Sequence, residues 1–555
     1  MYTLNYVYEN NDELKKFILK NNLKEQKNLL IQIFSGNLNK KFLITLLNTL
    51  KKSLPHANII GSTTDGEIIN CSILSNEVVI SFSVFEKTSI KTYFFEKKGF
   101  SSAQLGEKIN EKLTDSSKAA IILTDGLATN GERLIKNITK PVKIAGGFAG
   151  DNYFLKKTYV FSDKGLTDNG CVVAILEGKD LIVHNDYGLN WEGIGKVMTV
   201  TKSDNNGRVY ELDNEPVKLV YRKYFGNLTD KYLLEIGMQF PLIMHRNGTK
   251  IARAVIGEDE DSLIYAGNVY EDEEVQFGYA NLNDILAQNL NMFKKLENKP
   301  VESIFIYECT SRRKFLGNNV KYEYLSIADV SMSGFYSYGE FYGDDEKYFF
   351  NQTITYLALS ESSESKIKIR EFDFYKKDDF LVCQALTNLI KSTTVELREK
   401  TAQLKEIAQT DSLTKILNRK GCLESIKKLD EPYIMLLLDI DFFKSINDRY
   451  GHDVGDEVLT RVVDLIKSNI RQNDIFCRYG GEEFIIILPK VTLKNGVEIA
   501  EKLRKIIENN MILDNIKVTV SVGVSEFIDN FYCTFKQADN NLYKSKRNGR
   551  NRVTY

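Results

Sequence analysis

The feature that most constrains the fold is a set of three apolar runs near the C-terminus, each bounded by turn residues. The run "YIMLLLDID" is apolar until its end, which is typical of a buried β-strand. The runs "DIFCRYGG" and "EEFIIILP" follow it and meet at Gly480 and Gly481, a two-residue connection that favours a β-hairpin. Segments with helical periodicity lie between and after these strands. Residues 410–555 are therefore predicted to form a compact α/β domain.

Four carboxylates lie at the ends of these predicted strands. Asp439 and Asp441 share one face of the first strand because side chains alternate, and Glu482 and Glu483 follow the hairpin glycines. A solvated hairpin tip would explain the second pair alone. Acids that converge without a basic neighbour instead favour a hard divalent cation such as Mg²⁺, which takes one or two carboxylates plus phosphate oxygens and water.

Other residues of this region have the chemistry that a nucleotide would need. The turn "FFKSIN" offers consecutive backbone N–H groups to phosphates. Asn447 and Asp456 could bind the edge of a guanine base, since a carboxylate accepts from two neighbouring N–H groups. Lys546 and Arg550 are four residues apart on the last predicted helix, hence on one face, and could hold a triphosphate.

Four motifs, "DSLTKILNRKG", "LLLDIDFFKSINDRYGHDVGDEVL", "RYGGEEF" and "ADNNLYKSKRNGRNRV", occur in this order. Over about residues 410–555 the chain thereby resembles the GGDEF family of diguanylate cyclases. The resemblance implies a central sheet flanked by helices, similar to nucleotidyl cyclases and polymerase palms. It also implies condensation of two GTP molecules into cyclic di-GMP with release of two pyrophosphates. Two Mg²⁺ ions per active site would be needed, with Mn²⁺ as an alternative.

The resemblance also implies roles for individual residues. Asp439, the Ile440 carbonyl and Glu482 match metal ligands; Glu482 matches the acceptor of the 3′-hydroxyl proton, and Glu483 a supporting acid. The matching GTP-binding residues are Asn447, His452 and Asp456 on the guanine side, Phe442, Phe443 and Lys444 at the phosphates, and Lys546 and Arg550 at the triphosphate. By itself, His452 would equally suit a turn or a helix cap. A catalytically weak domain that only binds cyclic di-GMP is the alternative function.

The sequence R-x-x-D occurs at Arg471 to Asp474, and five residues separate it from Gly480. At this offset it matches the product-binding inhibitory site of the family, to which Arg478 could contribute. The alternative is a surface ion pair of little energetic value.

Residues 379–409 contain neither Gly nor Pro, and Ile390, Leu397 and Leu404 recur every seven residues. Thr387, Thr394, Thr401 and Ala408 take the complementary seam position. The stretch is predicted to be helical, either as an amphipathic helix packed on its own domain or as a parallel signalling helix of a homodimer. A homodimer would suit the implied reaction, because the product has two equivalent bonds and one domain holds one GTP.

Glycine-marked strand ends, such as "IIGSTTDGEI", "ILTDG", "IAGGFAGDN" and "SGFYSYGEFY", precede this region. With them, residues 25–196 and 197–365 resemble the N-terminal and C-terminal parts of the FIST sensory domain. The resemblance implies an unknown small ligand, such as an amino acid. The candidate ligand residues are Thr63, Asp65, Asp151, Arg312, Tyr336, Tyr338 and Glu340. The glycines alone could mark tight turns, Arg312 could form a structural ion pair, and an N-terminal enzyme that gates the cyclase is a further alternative.

Length and composition limit the remaining possibilities. A chain of 555 residues is too long for one core, so the predicted class is multidomain α/β and α+β. The net charge of -1 argues against bulk attraction to nucleic acid or anionic membranes. No run reaches the roughly 18 apolar residues of a membrane helix. Seven scattered cysteines without C-x-x-C indicate a reducing cytoplasm.

Overall fold

The computed structural model describes residues 1–371, 381–429, 432–513 and 516–555. The chain divides into two compact units, Met1–Lys391 and Ser392–Tyr555. Both units combine helices with sheets, so the predicted multidomain α/β and α+β class is confirmed. The first two residues of the predicted linker, 379 and 380, lie outside the described residues.

The described part of the N-terminal unit contains four β-sheets, two of which combine strands from both predicted halves. The first sheet has the order Tyr2–Val7, Val78–Phe85, Asn28–Ser35, Asn58–Thr63, Val160–Ser162 and Gly165–Thr167. The second has Lys347–Phe350, Glu340–Gly343, Lys143–Phe148, Ser117–Thr124, Gly170–Glu177 and Ser89–Glu96. The third has Ile182–Leu189, Thr353–Ser360, Ser303–Cys309, Ser331–Ser337, Glu67–Ile69 and Ser72–Leu74.

The fourth sheet has the order Thr249–Arg253, Leu242–Arg246, Glu274–Tyr279, Glu192–Ser203, Arg208–Leu212, Leu263–Tyr265 and Val255–Glu258, with Glu215–Pro216 beside Arg208–Leu212. The α-helices of the unit lie between strands. They are Asn11–Lys20, Lys40–Ser53, Ser102–Lys112, Gly131–Lys136, Val217–Phe225, Thr229–Gln239, Leu282–Lys294 and Thr310–Leu316.

Each half of the N-terminal unit contributes a hairpin to a sheet of the other half. Glu67–Ile69 pairs antiparallel with Ser331–Ser337, and Glu340–Gly343 pairs antiparallel with Lys143–Phe148. The halves therefore share sheets, and backbone hydrogen bonds join them. The predicted boundary near residue 197 concerns only where one part ends and the next begins along the chain, and it stays a prediction.

A single helix, Leu381–Gln409, contains the described part of the predicted linker. Its seam residues remain largely accessible: Ile390 is 40%, Leu397 67% and Leu404 66% exposed. Such exposure disfavours the alternative in which this helix simply buries its apolar face on its own domain. Among the described helices, none combines the length and apolar character that a membrane crossing requires.

The C-terminal unit has a five-stranded sheet flanked by helices, as predicted. Its strand order is Ile475–Gly480, Glu483–Pro489, Tyr433–Ile440, Val520–Glu526 and Val553–Thr554, with only the last pair parallel. The helices are Arg419–Ile426, Phe443–Tyr450, His452–Lys467, Leu493–Asn509 and Phe531–Arg547. Leu436 and Leu437 point to opposite faces of the central strand and join separate cores with different helices. The apolar central strand is thus buried on both faces, which leaves its end as the accessible point.

Candidate active site

The hairpin lies beside the end of the central strand, so the acids of the two segments meet. Asp439 is directly opposite Glu483 in the antiparallel register, and the Ile440 amide donates to the backbone carbonyl of Glu482 at 3.4 Å. Gly481 turns the chain with a φ of 46° and has open space around it. A left-handed residue at this position favours glycine.

The electrostatics of Asp439 differ in one respect from the expectation drawn from the sequence. The residue is 7% exposed, and burial raises the pKa of its carboxyl to about 6, with smaller contributions from Glu482 and Glu483. Lys546 opposes this shift because its Nζ lies 2.6 Å from Asp439 Oδ2. The expectation of carboxylates without a basic neighbour was therefore wrong. Burial likewise raises the pKa of Glu483.

The donors at this strand end suit a hard cation with a small number of protein ligands. Within the described residues, no three His, Cys, Asp or Glu side chains are close enough together to hold a metal ion by themselves. Asp439, Glu482 and the Ile440 carbonyl amount to two carboxylates and one carbonyl. That set fits Mg²⁺, which is commonly bound by one or two carboxylates while substrate phosphates and water complete its shell.

Asp441 has a different role from Asp439. Its carboxylate accepts hydrogen bonds from the Thr519 hydroxyl at 2.6 Å, the Ser521 hydroxyl at 2.7 Å and the Asn551 amide at 3.0 Å. These bonds satisfy a carboxylate that is only 4% exposed. Asp441 therefore anchors the segment that contains Arg550. The sequence did not predict this role of Asp441.

Six of the residues predicted to bind the nucleotide lie on two consecutive helices or directly before the first of them. Phe442 is left-handed, with φ at 57°, and the first helix begins at the buried Phe443. Its first amides, including that of the exposed Lys444, have no intrahelical acceptor and are available to phosphates. Asn447 Oδ1 packs closely over Gly455, where a Cβ would lie only 1.9 Å away.

The other two guanine-side candidates are on the second helix. His452 is its first residue and Asp456 lies one turn further along. Both side chains are exposed. The glycine contact brings this helix close to Asn447, so the three candidates occupy neighbouring turns of a packed helix pair.

Arg550 comes close to the start of the first helix by a different route from the one predicted. The last helix ends at Arg547, and Arg550 lies beyond it with a φ of 62°. The prediction that Lys546 and Arg550 share a helical face was therefore wrong. The Arg550 guanidinium nevertheless lies 4.5 Å from the ring centroid of Phe442, so its charge is beside the start of the first helix.

The predicted inhibitory motif forms a turn at the edge of the sheet. Asp474 Oδ2 accepts from the Arg471 amide at 2.7 Å, while the Arg471 side chain is exposed. Arg478 is engaged elsewhere: it donates to the Gly481 carbonyl at 2.7 Å and pairs with Asp411 at 3.1 Å. Arg471 and Asp474 therefore lie in one turn, whereas the contacts of Arg478 stabilise the hairpin.

Most sensory candidates are buried in the N-terminal unit and already paired. Arg312 is 0% exposed and donates to Glu323 at 2.6 Å and to Asn289 at 2.9 Å. Glu308 lies 3.3 Å from Arg312. Its pKa is well above the usual range, mainly because of burial and secondly because of the nearby charge of Glu323. The structure thus places Arg312 in the ion pair that the sequence left as an alternative, not in a clamp open to ligand. Tyr336 belongs to the same buried cluster.

The remaining candidates hold loops and strands. Asp151 accepts from three successive backbone amides, and Tyr338 donates to its carboxylate. Glu340 accepts from Ser337 and Thr353, and burial raises its pKa to about 8. Thr63 and Asp65 are also buried, in hydrogen bonds to Tyr159 and Thr310 respectively. Of these candidates only Tyr338 lines a cavity between the two halves that Leu127, Phe148 and Lys314 also line.

Replacing Arg312 with Ala should lower the free energy of unfolding of the N-terminal unit by about 3–5 kcal/mol, because Glu308 and Glu323 would lose their buried partner. The chain's single tryptophan, Trp191, is buried in this unit. Its fluorescence during urea unfolding of the full chain measures the change. The exposed Arg133 is the matched control, expected to change stability by less than about 0.5 kcal/mol when replaced with Ala. Unchanged stability of the Arg312 variant would contradict the structural role.

Comparison with known families identifies three domains in this order. A model described as FIST N domain matches residues 29–215, one described as FIST C domain matches 219–343, and one described as diguanylate cyclase, GGDEF domain, matches 408–552. The matches agree with the fusion that the sequence motifs indicated.

Similarity to individual proteins is concentrated in the C-terminal region. "Diguanylate cyclase A" of Treponema denticola is 35% identical over 220 residues, 37% of this chain and 56% of that protein. "Response regulator PleD" of Caulobacter vibrioides is 40% identical over 178 residues, 29% of this chain and 39% of that protein. The chain thus spans about half or less of these relatives. A solved coiled-coil and GGDEF structure of DgcB from Caulobacter crescentus, in complex with c-di-GMP, is 30% identical, with a TM-score of 0.29 over 32% of this chain and 99% of that one.

Proposed function

We propose that this chain, a fusion of FIST N and FIST C domains with a GGDEF domain, is a ligand-regulated diguanylate cyclase that converts two GTP molecules into cyclic di-GMP and two pyrophosphates. The observation that carries the proposal is the meeting of Asp439, Glu482 and Glu483 at one strand end. The start of helix Phe443–Tyr450 and the Lys546 ammonium lie next to these acids in the C-terminal unit.

The residues of this site would divide the work of the reaction. Asn447, His452 and Asp456 would bind guanine, while the helix start at Phe442, Phe443 and Lys444 would bind phosphates through backbone amides. Lys546 and Arg550 would hold the triphosphate charge. Glu482 would accept the proton of the 3′-hydroxyl, supported by the neighbouring Glu483.

Asp439, Glu482 and the Ile440 carbonyl would hold divalent cations, Mg²⁺ or Mn²⁺. Two bound ions would supply activation of the attacking hydroxyl and stabilisation of the leaving phosphate. GGDEF diguanylate cyclases generally depend on divalent metals. The Lys546 ammonium, 2.6 Å from Asp439, offsets part of the charge of this buried acid.

The stoichiometry of the reaction calls for a homodimer. Each of the two equivalent bonds of the product joins the 3′-hydroxyl of one nucleotide to the α-phosphate of the other, so two GTP-loaded domains must face each other across a two-fold axis. The exposed seam of helix Leu381–Gln409 is the proposed dimer contact. Control by a small ligand at the FIST region would then act by changing how often two domains are productively aligned.

The decisive test is incubation of the purified full chain with GTP and Mg²⁺, followed by chromatographic separation of nucleotides. Formation of cyclic di-GMP with two pyrophosphates per product supports the proposal. Absence of product together with tight binding of added cyclic di-GMP would instead support the alternative binding module. The six cysteines whose side chains the structure describes are free thiols, which is consistent with the proposed cytoplasmic location and with reducing assay conditions.

Product inhibition would use the turn at Arg471 and Asp474. Replacing Arg471 with Ala should raise the product concentration for half-inhibition by at least about tenfold, since a charge-assisted bond to a phosphate or base contributes about 1.5–3 kcal/mol. The initial rate without product should stay the same. The assay is GTP turnover at increasing cyclic di-GMP. Inhibition at an unchanged concentration would place the inhibitory site elsewhere.

Arg461 provides a matched control for this substitution. It is an exposed arginine on helix His452–Lys467, so Arg461→Ala removes the same charge from the same unit. We expect its inhibition curve to match that of the unmodified chain. A comparable shift in both variants would show a general charge effect and not a specific site.

A further inference from the structure

The N-terminal unit contains a cavity of about 310 Å³ between its two halves. This volume is at the lower end of the range for small-molecule sites. Apolar and aromatic side chains from both halves form most of its wall. Those used in the argument are Leu127, Phe148, Tyr153, Met238, Tyr338 and Phe349. A ligand here would contact both FIST domains at once.

The polar atoms of the wall are largely committed to the protein. The Tyr153 hydroxyl donates to the Thr310 carbonyl at 2.9 Å, and the Tyr338 hydroxyl donates to Asp151. The Asn351 amide group donates to the Tyr338 carbonyl at 3.0 Å. These bonds fix both tyrosine rings, so the cavity offers ring faces and aliphatic groups to a ligand. An apolar body is therefore favoured over a richly hydroxylated one.

The charge in the wall is one-sided. Of the described residues that line the cavity, Lys314 alone carries a full charge, and none is an Asp or Glu. The Lys314 ammonium lies 4.1 Å from the ring centroid of Tyr153 and 4.0 Å from the Met238 sulfur. Both are weak partners for a cation, so a ligand carboxylate would be a better one. A free ammonium group on the ligand would meet no carboxylate there.

One wall of the cavity is a loop held in an unusual conformation. Asn152, Tyr153 and Leu155 have φ values of 58°, 66° and 50°, which bulky residues such as Tyr and Leu rarely adopt. The Asp151 carboxylate fixes the loop by accepting from the Leu155 amide at 2.8 Å and the Lys156 amide at 2.7 Å. Strain of this kind persists only where surrounding bonds impose it, and it is concentrated at ligand sites.

We propose that this cavity binds an organic acid with a compact aromatic or aliphatic body and no ammonium group, with its carboxylate beside Lys314 and its body against the rings of Tyr153 and Tyr338. The inference rests on the ligand-regulation part of the proposed function. It replaces the amino acid implied by family resemblance with a simple carboxylate, because the wall supplies a cation without a matching anion.

The test uses three compounds with one skeleton: 3-phenylpropanoate, its neutral amide 3-phenylpropanamide, and the zwitterion L-phenylalanine. Isothermal titration calorimetry on the full chain should show that 3-phenylpropanoate binds at least about tenfold more tightly than the other two, which corresponds to about 1.4 kcal/mol. Equal binding of acid and amide, tighter binding of L-phenylalanine, or no binding of 3-phenylpropanoate at millimolar concentration would each overturn the proposal.

Substitution of Lys314 locates the binding site. Lys314→Met should weaken binding of 3-phenylpropanoate about tenfold and leave the amide unaffected. Lys314 is exposed, and Trp191 fluorescence checks that the variant is folded. Lys321→Met is the control, because Lys321 also lies over a tyrosine ring, at 5.4 Å, but does not line the cavity. An equal loss in both variants would overturn the assignment.

Cyclic di-GMP synthesis by the same preparation is measured separately, so that the two proposals can fail independently. Synthesis without binding of 3-phenylpropanoate would refute the ligand assignment alone. Binding without synthesis would refute the enzymatic proposal and leave the cavity assignment standing.

Discussion

Replacing Glu482 with Gln should lower the rate of cyclic di-GMP formation by at least about a thousandfold, which corresponds to a loss of about 4 kcal/mol of transition-state stabilisation. The substitution keeps the size of the side chain but removes its charge and its ability to accept a proton. The hairpin should not change, because the bond to the Ile440 amide uses the backbone carbonyl of Glu482. The loss should therefore appear as a lower kcat in a folded protein.

The measurement is initial-rate chromatography at saturating GTP and Mg²⁺. Glu498→Gln provides a control, since Glu498 is an exposed acid on helix Leu493–Asn509 of the same unit and should leave the rate within about twofold. Glu482→Gln activity within tenfold of the unmodified chain would refute the proposed role of Glu482 as metal ligand and proton acceptor.

The arrangement at the strand end was accessible to sequence reasoning because its signals are local. An apolar strand, two glycines and an adjacent acid pair predict the hairpin. Whether the hairpin lies beside the central strand was left open by the sequence and follows from the sheet pairing. The pairing of Lys546 with Asp439 was not accessible, since more than a hundred residues separate them in the chain and only the packed sheet and last helix bring them together. A helix stop was present but overlooked: Asn548 and Gly549, with φ of 106° at the glycine, follow the end of the helix at Arg547.

The N-terminal unit shows a different limit. Its glycine-marked strand ends predicted where polar loops would lie, and "ILTDG" does lead into the cavity wall at Gly126. The exchange of hairpins between the halves had no local signal, because strand pairing between distant segments depends on global packing. The buried ion pair of Arg312 also had no local signal. Its partner Glu323 is near in sequence, but the burial of both side chains follows from the fold.

Replacing Ile390, Leu397 and Leu404 together with Ser should weaken dimerisation by about 4 kcal/mol or more, roughly a thousandfold in affinity, because each dimer would lose six apolar side chains from its seam. Cyclic di-GMP synthesis should fall in parallel at low protein concentration and recover as the concentration rises. That recovery distinguishes lost association from a damaged active site, since each domain would still bind its own GTP. Analytical ultracentrifugation measures the affinity, and turnover is followed over the same concentration range.

Val395→Ser is the control for this seam, because Val395 is 50% exposed on the same helix but lies outside the seven-residue repeat of the three seam positions. It should leave the dimer affinity within about threefold. If the triple variant instead kept the original affinity, the two domains would have to be brought together by another surface. If it dissociated while turnover per chain stayed constant at every concentration, the two-domain mechanism itself would be wrong, because a monomer cannot form both bonds of the product at once.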